Sequence, residues 1–320
     1  MSLIDRTRNL FQKVGTGTQN TAARVQTGAT QAANTVKTTA ENVGQKLNTV
    51  VDGFESKSTK ATSTVAGVFT APKGAKDKVY DGKLVGAGGQ TFEPGTPLSQ
   101  IPAVTPRNNP NATATVIYVN GISTDKNGQS GELQSIADRT GMRAIGIHNA
   151  TEGVVSDLIQ CVKDKLGKGH NPAVDTLADT LYSELKAGRS VHLMGYSHGG
   201  LITSRALKDV ANRLRIEDGM SKAQVEQTMS RLNVETFGAA AARYPDGPNY
   251  VHYVNDKDIV PTLFGLGGSG KSPLDFLRDA GKGAKVHYFS EKNMFSGAHA
   301  LADTYMKHRV PFDEARAGRF

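Results

Sequence analysis

From Ala112 onward the hydrophobic positions gather into short runs set between longer mixed stretches. "TATVIYV", "RAIGIH", "SVHLMG", "NVETFG", "NYVHYV" and "AKVHYF" are rich in β-branched and aromatic residues and nearly continuous in apolar character, the pattern of strands buried on both faces. Between them, residues 129–139, 153–165, 173–187, 198–213 and 221–229 read as helices, with apolar positions spaced for one face. Strands alternating with helices predict an α/β domain over residues 112–310, with a mostly parallel central sheet flanked by helices. Residues 61–111 are rich in Gly and Pro and read as a loop-rich linker with one short strand. Residues 311–320 read as a C-terminal tail.

Residues 1–60 follow another rule. Laid out in rows of eleven, Val14, Val25, Val36 and Leu47 share a column, as do Thr18, Ala29, Ala40 and Val51, and Thr21, Ala32, Val43 and Phe54. Thr16, Thr27, Thr38 and Thr49 fall on the opposite face, and Lys13, Arg24, Lys46 and Lys57 recur at a fixed angle beside the stripe. Eleven residues in three turns nearly match a straight helix, so the stripe stays on one side and suits a flat surface. This leader resembles the eleven-residue repeats of synucleins, perilipins and related lipid-surface proteins in period and composition, without their family motifs. A second reading stays open: Gly15, Gly17, Gly28 and Gly44 each weaken a helix by about 1 kcal/mol relative to Ala, which fits a solvated, partly disordered leader.

Charge and cysteine usage narrow the classes. With 38 Lys plus Arg against 30 Asp plus Glu, the chain is formally +8, which favours an anionic membrane or lipid-droplet surface as partner. Nucleic acid fits less well, because the basic residues are dispersed and no aromatic-interleaved basic cluster is present. The single cysteine, Cys161, supports neither an intramolecular disulfide nor a cysteine metal cluster. No signal-peptide core or membrane-spanning apolar run is present, so the expected location is cytoplasmic or peripheral to a lipid surface, with export lacking a cleavable signal left open.

Two glycine motifs compete for the chemistry. "GLGGSGKS", Gly265 to Ser272, matches the phosphate-binding pattern G-x-x-x-x-G-K-[ST], but its context argues against a nucleotide. The run before it contains Pro261, Pro273 follows it, and only 48 residues remain downstream for the strands and magnesium ligand such a domain needs. It reads as a mobile, Gly-rich surface loop near the active-site edge. "VHLMGYSHGGLITSRALKDV" carries G-x-S-x-G as Gly195, Tyr196, Ser197, His198 and Gly199, between an expected strand and an expected helix. A serine on so tight a turn needs glycine two before and two after, and its hydroxyl stands above the sheet edge at a helix N-terminus.

On these residues the stretch from about 112 to 310 resembles the α/β-hydrolase superfamily, whose chain order is Ser, then Asp or Glu, then His. "NDKDIVPTL" is similar to the N-x-x-D-x-V-P segment of class 3 lipases through Asn255, Asp258, Val260 and Pro261. "ETFGAAAARYPDG" is similar to their T-F-G-x-P region, with Ala240 where proline is usual. The resemblance makes Asp258 the orienting carboxylate, with Asp256 second. His287 lies inside an expected strand and His308 closes a helix beside Lys307 and Arg309, which leaves His299, at a helix start beyond the last strand, as the general base. The backbone N–H of His198 and that of Ile122, freed by the turn at Gly121, are the expected oxyanion donors. This chain has Asn120-Gly121 where the fold usually has His-Gly. Asn120, His148, Asn149 and Tyr196 are candidate substrate-binding residues.

The expectation is a serine ester hydrolase of the lipase or phospholipase A type, with a Ser197-His299-Asp258 triad, acting on lipid or another acyl ester without metal, nucleotide or other cofactor. Alternatives are a soluble carboxylesterase or thioesterase, a storage-polyester depolymerase, since the leader also resembles granule-coating proteins, and a non-catalytic lipid-binding module.

Overall fold

The computed structural model describes residues 77–122, 124–150, 171–270, 275–291 and 295–320. The leader over residues 1–60, the helix expected at 153–165 and Cys161 lie outside the described residues. The strands are β1 (Leu84–Val85), β2 (Thr91–Phe92), β3 (Thr115–Val119), β4 (Arg143–Ile147), β5 (Val191–Tyr196), β6 (Leu232–Phe237), β7 (Asn249–Asn255) and β8 (Lys285–Phe289). They form one eight-stranded sheet in the order β2-β1-β4-β3-β5-β6-β7-β8. From β4 to β8 every neighbouring pair is parallel, in register such as Ile117↔Ile145, Ile117↔Leu193 and Leu193↔Val234. Only β1 is reversed, pairing antiparallel with both β2 and β4. The fold is thus α/β with a mostly parallel sheet, and all six strands expected beyond residue 112 are present.

Parallel strands need cover on both faces because their connections return over the sheet. Helices α1 (Lys126–Thr140), α2 (Pro172–Lys186), α3 (His198–Ile216) and α4 (Lys222–Met229) supply part of it. Ile117 and Val119 of β3 join a cluster with Leu177 and Leu181 of α2 and Ile202, Leu207 and Val210 of α3. The alternate residues Val116 and Tyr118 pack on the other face with Leu133 and Ile136 of α1 and with Leu301, Tyr305 and Met306. Local signals set the helix ends. Asp125 caps α1 by accepting from Gly128 N, and Gly141 at φ 69° ends it. Asn171 caps α2 with Pro172 in its first turn, and Ser221 with Gln224 closes a reciprocal capping box on α4.

Two domain boundaries are corrected. The described part of the expected linker, residues 77–111, contributes two strands: Leu84 and Val85 are fully buried, and Ile101 and Val104 join the core. Strands of two residues are too short to show a periodicity. Residues 311–320 are not a free tail either. Phe312–Arg316 is helical, Ala315 is fully buried, and Phe320 stacks on His287 with ring centroids 4.4 Å apart. Among the described residues no helix is long and apolar enough to cross a membrane.

Candidate active site

The centre of the sheet ends in a strained corner. Ser197 follows β5 directly at φ 55° and ψ −121° and precedes α3; among the described residues it is the one non-glycine with positive φ. Both flanking glycines are required by close approach. A Cβ on Gly195 would lie 2.6 Å from Thr203 Oγ1, and one on Gly199 would lie 2.1 Å from the carbonyl oxygen of Val119. The first turn of α3 therefore rests on the end of β3. The bond from Ala240 N to the Ser197 carbonyl, 3.0 Å, ties the corner to the loop after β6.

Ser197 Oγ lies 2.8 Å from His299 Nε2. His299 Nδ1 lies 2.5 Å from Asp258 Oδ2, and Asp258 Oδ1 accepts from Val260 N at 2.9 Å. The carboxylate fixes the tautomer: Nδ1–H donates to Asp258, leaving the Nε2 lone pair to accept the serine O–H. Ser197 and Asp258 are each 2% exposed, whereas the His299 side chain keeps 20% exposure. The elements deliver these groups from three places. Ser197 ends β5, Asp258 caps α5 (Ile259–Phe264) just beyond β7, and His299 follows α6 (Phe295–Ala298) beyond β8. Asn255, at the end of β7, ties the last two together: its side-chain amide donates to Ala298 O at 3.0 Å, and its side-chain oxygen accepts from Lys257 N and Glu291 N, both at 3.1 Å.

The rival residues have other occupations. Asp256 accepts from Ser269 N at 2.7 Å, Ser269 Oγ at 2.6 Å and Ser290 Oγ at 3.2 Å. Burial acts to raise its pKa, but these hydrogen bonds outweigh it and hold the carboxyl below its ordinary value. His287 stacks on Phe289 and Phe320, and His308 pairs through Nε2 with Glu291 at 2.7 Å. The glycine-rich stretch from Gly265 follows the helix α5 instead of a strand, so it lacks the strand-loop-helix setting of a phosphate cradle. Asp256 pins it at Ser269.

The candidate oxyanion donors lie on elements next to this corner. His198 opens α3, so its N–H stands at the positive end of a 19-residue helix. Gly121, just before Ile122, faces Ser197 so closely that a Cβ there would lie 3.2 Å from Ser197 Cβ. Ile122, Leu201, Ile259 and Phe264, all half-buried, pack around Ala240 and Val260, giving this edge an apolar surface.

Of the four candidate substrate contacts, Asn120, His148 and Asn149 are corrected because they are fully buried. Asn120 and Asn149 are fully buried and lock two strand ends together: Asn120 Nδ2 donates to Asn149 O at 2.9 Å and Asn120 Oδ1 accepts from Asn149 N at 2.8 Å. Asn149 Nδ2 also approaches His198 Nδ1 at 3.1 Å, so the Asn120-Asn149 pair braces the Ser197 corner. His148 is fully buried with Nδ1 2.8 Å from Gln129 Oε1, and burial lowers its pKa. Tyr196 turns its hydroxyl to the backbone carbonyl of His299 and lays its ring beside the imidazole at 5.1 Å. Tyr305, which the sequence did not single out, donates its hydroxyl to Asp258 Oδ2 at 2.6 Å.

A scan against protein-family models finds no match to this chain, and no curated protein matches its sequence. Among the described residues no group of three or more His, Cys, Asp or Glu is placed to hold a metal ion.

Proposed function

We propose that this chain is a serine ester hydrolase of α/β-hydrolase type, acting on lipid-like acyl esters in the manner of a lipase or phospholipase A. The observation that carries the reading is the continuous chain from Ser197 Oγ through His299 to Asp258, 2.8 Å and 2.5 Å long at its two links, mounted on a strained strand-to-helix corner. The half-buried apolar surface of Ile122, Leu201, Ile259 and Phe264 beside that corner fits an acyl chain better than a polar substrate.

In this mechanism Ser197 Oγ bonds to the acyl carbon as its proton passes to His299 Nε2. Asp258 stabilises the imidazolium without taking its proton. The backbone N–H groups of His198 and Ile122 receive the carbonyl oxygen as it becomes an oxyanion. Collapse of the tetrahedral intermediate breaks the bond to the leaving alcohol, which takes the proton from His299. Water then repeats the sequence on the acyl-serine and releases the carboxylic acid. The basic, eleven-residue-period leader would bring the enzyme to an anionic membrane or droplet.

Two assays on the full chain and on a variant lacking residues 1–60 test this. p-Nitrophenyl esters of increasing acyl length should be cleaved by both proteins, better for medium and long chains than for acetate. Anionic phospholipid vesicles should be hydrolysed by the full chain and much less by the shortened one. Equal vesicle hydrolysis would remove the leader's role, and a preference for acetate would favour the soluble-esterase alternative. No turnover of any ester would remove the enzymatic reading.

A further inference from the structure

Asp258 has more holding it than the triad requires, and the extra group comes from an unusual stretch of backbone. Leu301–Tyr305 is a π-helix starting two residues after His299, and Tyr305 N reaches back to Ala300 O at 3.2 Å. Such single wide turns insert an extra residue and re-aim the side chains beyond it, often at functional positions. Here the turn brings His299 and Tyr305 to the same carboxylate oxygen, Asp258 Oδ2, at 2.5 Å and 2.6 Å, with their rings perpendicular at 6.5 Å. Tyr305 is fully buried, and its oxygen also accepts from Asn255 N at 3.4 Å. The sheet makes room for it. Gly238, at φ 54° just beyond β6, would bring a Cβ within 2.8 Å of the phenol carbon and oxygen of Tyr305, so any side chain at 238 would displace the ring.

We propose that Tyr305 is a positioning member of the Ser197-His299-Asp258 set, holding Oδ2 in the plane of the imidazole and sharing the charge that Oδ2 offers to the His299 Nδ1–H. The proposal rests on the hydrolase reading for its kinetic consequence, though not for its geometry. A carboxylate oxygen that accepts two hydrogen bonds divides its charge between them. With the phenol in place, Asp258 orients His299 while stabilising the imidazolium less than an undivided carboxylate does. Burial first, then the charge of Asp258 and the hydrogen bond to it, raise the Tyr305 pKa well above the ordinary value, which keeps the phenol a donor throughout the working range. Among the described residues Tyr196 also packs against His299; its pKa is likewise raised far above the ordinary value, by burial first and then by the charges of Glu132 and Asp258, so it stays protonated.

Tyr305→Phe keeps the ring and removes the donor. In the full-length protein, kcat on a soluble p-nitrophenyl ester should fall roughly tenfold, the size of one charge-assisted hydrogen bond, with KM little changed. The acid limb of the kcat/KM profile should move up by about half a unit to one unit, and the downfield Nδ1–H proton resonance of His299 should shift. Site-specific 3-fluorotyrosine at position 305, a stronger donor of nearly the same shape, should move the limb and the resonance in the opposite sense, and it serves if the phenylalanine variant does not fold. A limb and a resonance that stay at their wild-type values in these variants would overturn the proposal, since a purely packing role predicts that result. Should the wild type cleave no ester, the hydrolase reading fails by itself and the resonance still decides whether Tyr305 sets the Asp258-His299 bond.

Discussion

Ser197 occupies a backbone region that a side chain adopts only at a cost of about 1–3 kcal/mol, at the position where a serine ordinarily caps a helix. It makes no side-chain cap to α3, and its hydroxyl is directed to His299 instead. Stability is given up at the one residue whose oxygen is needed elsewhere, and the two glycines and the Asn120-Asn149 brace hold it in place. The two aspartates give a sharp contrast at this scale. Asp258→Asn should lower kcat by roughly four orders of magnitude by destabilising the required tautomer, whereas Asp256→Asn, which loosens only the Ser269 and Ser290 contacts, should stay within a few-fold of wild type. A comparison of kcat for the two variants on one soluble ester decides it, and a larger loss in the Asp256 variant would reverse the assignment. Ser197 could be read from its glycine-flanked turn after a strand, whereas Asp258 came from the resemblance to N-x-x-D-x-V-P and His299 from the chain order and the elimination of His287 and His308. Tyr305 was not legible, because what recruits it is a wide helical turn that "HALADTY" does not advertise, nor was the brace, because a buried asparagine pair looks in sequence like two polar loop residues.

The parallel strands could be read one by one, since a run buried on both faces has a signature that survives without context. What packs between them could not. His252 on β7 is fully buried, with Thr236 Oγ1 2.7 Å from Nδ1 and Ala280 O 3.0 Å from Nε2, which suits a neutral ring donating from Nε2. Burial pushes its pKa down from 6.5 to about 4, against the opposing pull of the Ala280 carbonyl. The unfolded chain therefore takes a proton on this ring near 6.5 that the folded protein does not accept until about 4. The stability contribution is full above 6.5 and is lost as pH falls between those values, by about 3 kcal/mol. His252→Gln should flatten the dependence of the urea midpoint on pH across that window relative to wild type; identical slopes in the two proteins would show that His252 is not held neutral. Glu235 is the acidic counterpart. It is fully buried between β5 and the C-terminal segment, and burial alone would raise its pKa, but the hydrogen bond from His192 at 2.7 Å and the paired Arg309 at 2.9 Å keep it lowered.

Across the whole sheet, chemistry collects at one edge for a topological reason. In an open parallel sheet the loops that follow the strands all leave from the same side, so residues far apart in sequence converge there: the Gly121 turn after β3, Asn149 after β4, Ser197 after β5, Ala240 after β6, Asp258 after β7 and His299 after β8. The sequence order of Ser, Asp and His reflects the order of β5, β7 and β8. The parts least legible were those that joined the sheet from outside its repeating pattern, namely the two short strands β1 and β2 at one side and the docked residues after 311. The central claim is that Ser197 is a nucleophile activated by His299, and the most direct measurement is covalent labelling of the full-length protein by a fluorophosphonate, mapped by mass spectrometry. The account predicts one phosphonylated site, Ser197, in the wild type, with labelling lost in Ser197→Ala and slowed by orders of magnitude in His299→Ala. An unlabelled Ser197 in folded wild-type protein, or labelling that proceeds equally fast without His299, would contradict it.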